Sequence, residues 1–219
     1  MLHLAHLWRN HNWLLLWGGQ LVSVVGSQVS QLAYPLLMLA LTKSPAQAGF
    51  LSAVRALPYL LLGLPAGAFV DRWDRKRVMN VCDAVRALAL GSIPLALALG
   101  RLTLAQLNIV ALLEGALSVF FSLAETAALT RVVAREQIPA ATTLNEVTLS
   151  IGSLLGPALG GLIFAAGWGF AFLADAISYV VSAVSVWFIR ADLTPTRTTD
   201  AGRLLDDIRE GVAWLWRPR

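Results

Sequence analysis

Apolar residues run almost unbroken through six stretches of the chain, residues 13–41, 46–70, 78–99, 104–129, 140–166 and 169–189, each closed by a short polar or glycine- and proline-bearing break. An α-helix needs about 20 such residues to cross a bilayer, so each stretch predicts one spanning helix. The breaks are Thr42-Lys43-Ser44-Pro45, a charged turn around residues 71–77, Gly100-Arg101, residues 131–139 and Gly167-Trp168-Gly169. Connections this short predict antiparallel neighbours in a helical bundle. Pro35, Pro58, Pro65, Pro94 and Pro157 fall inside the runs and predict bends, because each removes a backbone donor. The first run lacks the small-residue cleavage pattern of a secretory signal and reads as a retained helix.

The pattern changes after Arg190. Residues 191–201 are polar and read as a linker, after which Leu204, Leu205, Ile208, Val212, Leu215 and Trp216 recur at helical spacing opposite Asp206, Asp207, Arg209 and Glu210. That spacing predicts an amphipathic helix within 191–219, lying on the membrane surface, docking on the loops or capping the bundle. The expected organisation is a six-helix transmembrane domain over 1–190 followed by this cytoplasmic segment. The fold class is all-α, a polytopic membrane bundle.

Composition agrees with the pattern. Hydrophobic residues make up 57% of the 219 and charged residues 14%, against about 25% charged in a soluble domain. Mean hydropathy is +0.67. So few charges cannot cover the surface of a water-soluble globule of this size. The net charge of +4 does not mark a nucleic-acid protein, because the basic residues flank apolar runs rather than line a polar face. One side of the expected bundle holds Arg9, Arg72, Arg75, Lys76, Arg77, Arg131, Arg135 and Arg190; the other holds Lys43 and Arg101. The positive-inside rule then places both termini and the charged turn in the cytoplasm of a cell whose inner membrane the chain crosses. Cys82 is the lone cysteine, which excludes an intrachain disulfide. His3, His6 and His11 precede the first run and read as an interfacial terminus rather than a metal site. No nucleophile–base pair, phosphate loop or ligand spacing is present, so neither enzyme chemistry, a metal nor a cofactor is implied.

Two motifs carry further information. The charged turn reads Gly67-x-x-x-Asp71-Arg72-x-x-Arg75-Lys76-Arg77. Gly67, four residues after Gly63, offers a flat helix face for close packing. Asp71 stands where it can pair with Arg75, and the basic residues can meet anionic lipid headgroups. In the fifth run, Gly152, Gly156 and Gly160 recur at four-residue intervals beside Pro157 and Gly161, making a groove for a neighbouring helix.

The charged turn resembles the loop signature between the second and third helices of the major facilitator superfamily. Gly156-Pro157-x-x-Gly160-Gly161 resembles the signature of its exporters and antiporters, with Thr143 where the fuller pattern has a further glycine. Residues 131–141 are similar to the cytoplasmic connector of the drug and macrolide efflux branch. Some relatives carry an arginine where this chain has Ala111, and an acid where it has Ser27. The resemblance implies a secondary transporter of about twelve helices, of which this chain supplies the N-terminal six. It also implies that Asp71 and Arg75 latch onto a helix of the second half.

Ionisable groups inside the hydrocarbon are expensive and face a partner or a water-filled cavity. Counted from the outer ends, Gln31, Arg55 and Glu114 share one layer. Arg55 and Glu114 are expected to pair, either as a static strut or as part of a titrating site. Asp175, deeper in the sixth run, is a further candidate. Asp83 and Arg86 read as a local i,i+3 pair. Glu125 and Glu146 fall near the cytoplasmic ends, within reach of water. Gln20, Ser23, Ser27, Gln31 and Tyr34 form a polar stripe on the first helix that lines a cavity or bonds to other helices.

The function expected is efflux of small drug-like or natural-product molecules by proton antiport, with a C-terminal half completing the machine. The alternatives are a half-size transporter working as a homodimer, or a non-transporting scaffold or truncated product. Partners are the small-molecule substrate, anionic headgroups, and the second half or copy; nucleic acid is not among them.

Overall fold

The structure, a computed structural model, describes residues 7–194. The amphipathic helix expected from Leu204 onward lies outside these, as do His3 and His6. Six long helices account for most of the described chain: α1 (His11–Thr42), α2 (Pro45–Val70), α3 (Arg75–Ala98), α4 (Leu104–Val132), α5 (Ile138–Ala166) and α6 (Trp168–Trp187), with a 3₁₀ turn (Arg135–Gln137) before α5. Five of them are long and apolar enough to cross a membrane; α2 is also 26 residues long and carries Arg55. The protein is an all-helical polytopic bundle.

The polar breaks fix where the helices start. Asn10, Ser44, Asp74 and Thr103 each precede a helix and accept a hydrogen bond from a backbone N–H of its first turn, satisfying donors that have no partner within the helix. At the end of α1, Lys43 adopts a left-handed conformation (φ 56°) and donates its N–H to Leu39 O at 2.8 Å, closing the last turn. The N-cap at Asp74 changes the reading of the charged turn. Arg75, Lys76 and Arg77 form the first turn of α3 rather than a free loop.

Helix pairing departs from the simple antiparallel expectation. α6 packs most extensively on α1 and α3, α2 on α4, and α5 on α1, whereas α2 and α3, joined by the charged turn, are not close neighbours. α1 and α5 run in the same sense, since Gly152, Gly156 and Gly160 meet Val24, Gln28 and Val29 in that order. Short connectors reverse the chain but do not choose its neighbours; small residues do. A Cβ added at Gly152 would lie 2.6 Å from Val24 Cγ1, and one at Gly160 would lie 3.2 Å from the Val29 carbonyl oxygen. The glycine face of α5 is therefore the seat of α1, as its spacing predicts. Gly161 lies off that face with open space beside it, and Pro157 is exposed. The expectation for Gly63 and Gly67 is not met, because nothing within the described residues comes within 4 Å of a Cβ at either. α2 instead approaches α4 at Gly115, where an added Cβ would collide with the Arg55 carbonyl oxygen.

The interior is layered. One apolar cluster, with Trp13, Leu16, Met79, Cys82, Phe121, Ala124 and Val186, fills the end that carries the charged turn. A second, with Ala33, Leu37, Leu51, Leu90, Ile93, Ala111 and Phe172, fills the opposite end. Between them, Ser23, Ser30, Asp83, Arg86, Glu114, Asp175, Ser178 and Ser182 are all buried. Polar groups thus occupy the middle depth, where burial costs most, and they are held there by one another.

Candidate functional site

The polar layer opens into a cavity of about 500 Å³ lined by α1 to α5. From α1 come Gln20, Ser23, Ser27, Gln31 and Tyr34, so the polar stripe read from the sequence is a cavity wall. From α2 comes Arg55, whose Nη2 donates to Glu114 Oε1 at 2.7 Å. Glu114 is fully buried, while the arginine side chain keeps 21% of its surface exposed. The carboxylate therefore lies behind the guanidinium, and Arg55 is the group of the pair that meets the cavity. Tyr34 offers its ring to the same guanidinium, 5.6 Å from the centroid, a weak but additive attraction.

A hydrogen-bonded chain runs from this pair into the bundle. Tyr179 donates to Glu114 Oε1 at 3.2 Å and shares a 2.9 Å bond with Ser27 Oγ. Ser27 lies 3.5 Å from Asp175 Oδ1, Ser178 Oγ donates to the same oxygen at 3.1 Å, and Ser30 Oγ donates to Asp175 Oδ2. Asp175 is fully buried between α1 and α6 and does not reach the cavity wall. Gly26 makes this possible, since a Cβ there would strike Ser178 and Asp175. The four candidate residues consequently divide: Gln31 and Arg55 line the cavity, Glu114 backs it, and Asp175 is joined to it through hydroxyls.

Asp83 and Arg86 form the local pair their spacing suggests, and both are buried. Arg86 does more than pair. Its guanidinium sits over Tyr179 at 4.2 Å and Phe121 at 4.6 Å, donates to Ser118 Oγ at 3.4 Å, and lines the cavity. Glu125 faces the cavity and accepts from Asn145 Nδ2 at 3.4 Å. Counting residues along α4 places it near the water interface, but the cavity extends to its depth. Glu146, on the outer face of α5, is exposed as expected.

The charged turn is tied to the exit of α6. Arg75 is buried, and its Nη1 donates to the carbonyls of Leu193 and Thr194, each at 3.3 Å. Lys76 Nζ donates to Ile189 O at 2.7 Å. These cations stand at a helix N-terminus, where the macrodipole disfavours them. The offset comes from Asp74 and from the carbonyls of Ile189, Leu193 and Thr194 in the segment that follows α6. Asp192 completes the exit turn: Thr194 donates to it from Oγ1 at 2.7 Å and from N at 3.0 Å, bonds that hold its carboxyl below the ordinary range. Gly67 caps the end of α2 by accepting from Asp71 N at 3.0 Å, and the Asp71 side chain faces solvent. Arg77 is exposed and lies 3.5 Å from Asp74; Arg72 is half-buried. Lys76→Met should cost about 1–2 kcal/mol in unfolding from mixed micelles, and Arg77→Met no more than about 0.5 kcal/mol. Equal losses would mean that the carbonyl contacts contribute nothing.

Residues 16–217 match the sequence pattern of the Major Facilitator Superfamily. The chain belongs to that superfamily. That superfamily is one of transporters rather than enzymes. The multidrug efflux pump Tap of Mycolicibacterium fortuitum is 27% identical over 212 residues, covering 93% of this chain and 52% of that protein. Tap of Mycobacterium tuberculosis (strain ATCC 25618 / H37Rv) is 29% identical over 208 residues, covering 91% and 49%. Macrolide efflux protein A of Streptococcus pyogenes is 26% identical over 211 residues, covering 94% and 52%. The chain thus spans about half the length of the curated relatives it matches.

Proposed function

We propose that this chain forms one half of a secondary active exporter of small drug-like or natural-product molecules, driven by proton antiport. The observation that carries the reading is the cavity at mid-depth, lined by Arg55, Arg86, Glu125 and the α1 stripe, in a bundle whose matched relatives are named for drug and macrolide efflux. A C-terminal half, or a second copy of this chain, supplies the opposite wall. The two halves rock about the cavity to expose it to each side in turn. The basic end, with Arg72, Arg75, Lys76 and Arg77, lies on the cytoplasmic face of the inner membrane, where the exposed Arg77 can meet anionic headgroups, and both termini are cytoplasmic.

Glu114 is held by Arg55 and Tyr179, whereas Asp175 is held by neutral hydroxyls alone. Asp175 is therefore the better candidate to take and release a proton. In inverted vesicles containing the assembled transporter, Asp175→Asn should abolish drug uptake driven by an imposed pH gradient while leaving facilitated exchange of the drug intact. Gradient-driven uptake equal to that of the parent would remove Asp175 from the coupling route. The homodimer reading has its own check: crosslinking in lipid that gives only monomers would end it.

A further inference from the structure

Arg55, Arg86 and Glu125 are the charged side chains on the cavity wall, and they are not equally matched. Arg55 is neutralised by Glu114 at 2.7 Å, and Arg86 by Asp83. Glu125 has amide neighbours instead, with Asn145 donating to it at 3.4 Å and Gln20 beside it. Among the described residues it has no ion-pair partner, and Asp83 and Arg86, whose charges act on it in opposite senses, are paired with one another. Amides orient a carboxylate without cancelling its charge. Among the charged groups of the wall, Glu125 is therefore the one without an oppositely charged partner among the described residues.

Beside its serines and glutamines the wall also offers apolar surface: Val24, Pro35 and Leu149 contribute aliphatic groups, and Tyr59, 55% exposed, contributes a ring. A single carboxylate in a cavity of low dielectric attracts a cation more strongly than it would in water, and an aromatic face adds to that attraction. The space of about 500 Å³ holds a ligand of drug size.

We infer that Glu125 is the anchor for the positive charge of the transported molecule, an amphipathic organic monocation such as a protonated amine or a phosphonium, with Asn145 and Gln20 holding the carboxylate in place. This rests on the cavity being the transport site, as proposed above.

The test uses binding rather than transport. The chain in detergent is titrated with tetraphenylphosphonium and with tetraphenylborate, which share a shape and carry opposite charges. The phosphonium should bind and the borate should not. Glu125→Gln should weaken phosphonium binding by at least about tenfold, with an unchanged melting profile. Asn145→Lys, which places an ammonium beside an intact Glu125, should abolish phosphonium binding without touching the carboxylate. Equal binding of both ions by the parent, no phosphonium binding, or full affinity in either variant would overturn the assignment. Cation-selective binding without efflux would count against the exporter reading alone, and efflux of neutral molecules alone against the Glu125 assignment alone.

Discussion

Arg55→Leu and Glu114→Leu are each expected to destabilise the bundle by about 3 kcal/mol, at the lower end of what breaking a buried pair costs. The lower end applies because the Arg55 side chain keeps 21% of its surface exposed while Glu114 is fully buried. Either change leaves one charge at mid-depth facing an apolar replacement. The double variant Arg55→Leu/Glu114→Leu should recover most of that loss, since two leucines of comparable bulk need no solvation. Unfolding of the three variants in mixed micelles gives the coupling energy directly. If each single change costs less than about 1 kcal/mol, the pair is not structural, and its conservation of geometry at 2.7 Å would need a different explanation. A recovered double variant that no longer transports would show that the pair serves the cavity as well as the fold.

Gly115→Ala should cost about 2–3 kcal/mol, the upper part of the overpacking range. The added methyl would overlap a backbone atom, the Arg55 carbonyl oxygen, and sit 3.3 Å from Pro58 Cγ. A flexible side chain could swing away; a carbonyl in the middle of α2 cannot move without the helix. The α2–α4 interface must therefore open, and with it the Arg55–Glu114 contact one residue away. Gly18→Ala is the control, because a Cβ at Gly18 meets nothing within 4 Å and alanine is the better helix former by about 1 kcal/mol. A Gly115 variant as stable as the Gly18 variant would contradict the close approach of the two helices.

The glycine face of α5 shows how a packing surface is read from spacing alone. Gly152, Gly156 and Gly160 stand four apart, one helical turn after another, and each meets α1. Gly63 and Gly67 have the same spacing and meet nothing among the described residues. The spacing states that a flat face exists, but the partner is set by which other helix presents a matching ridge. Gly115 has no glycine partner at that interval on α4, so nothing local distinguishes it. Its role depends on a carbonyl sixty residues earlier in the chain.

The candidate site divides along the same line. Arg55 and Glu114 could be matched by depth, because two costly groups in one layer of a bundle need each other. The polar stripe of α1 was legible for a similar reason, since its residues repeat on one helical face. Asp175 was legible as a buried acid but not as a group screened from the cavity by α1. Glu125 looked solvated from its place near the end of a run, and only the shape of the cavity brings it to the wall. The cations of the charged turn read as lipid-facing, yet Arg75 and Lys76 turn to carbonyls of the segment that follows α6, more than a hundred residues on.

The sequence by itself determined the class and the six helices with the polar breaks between them, and its charge asymmetry gave the expected orientation. Hydrophobic length, cap chemistry and charge asymmetry are local properties and need no knowledge of neighbours. Tertiary structure alone decided that α5 sits on α1 and α2 on α4, that two apolar layers enclose a polar one, and that Glu125 stands on the cavity wall beside amides rather than a cation. Those facts depend on which surfaces meet, and in a bilayer every helix already has an apolar environment. The choice of neighbour then falls to close packing and to hydrogen bonds between buried polar groups, which a linear pattern does not contain.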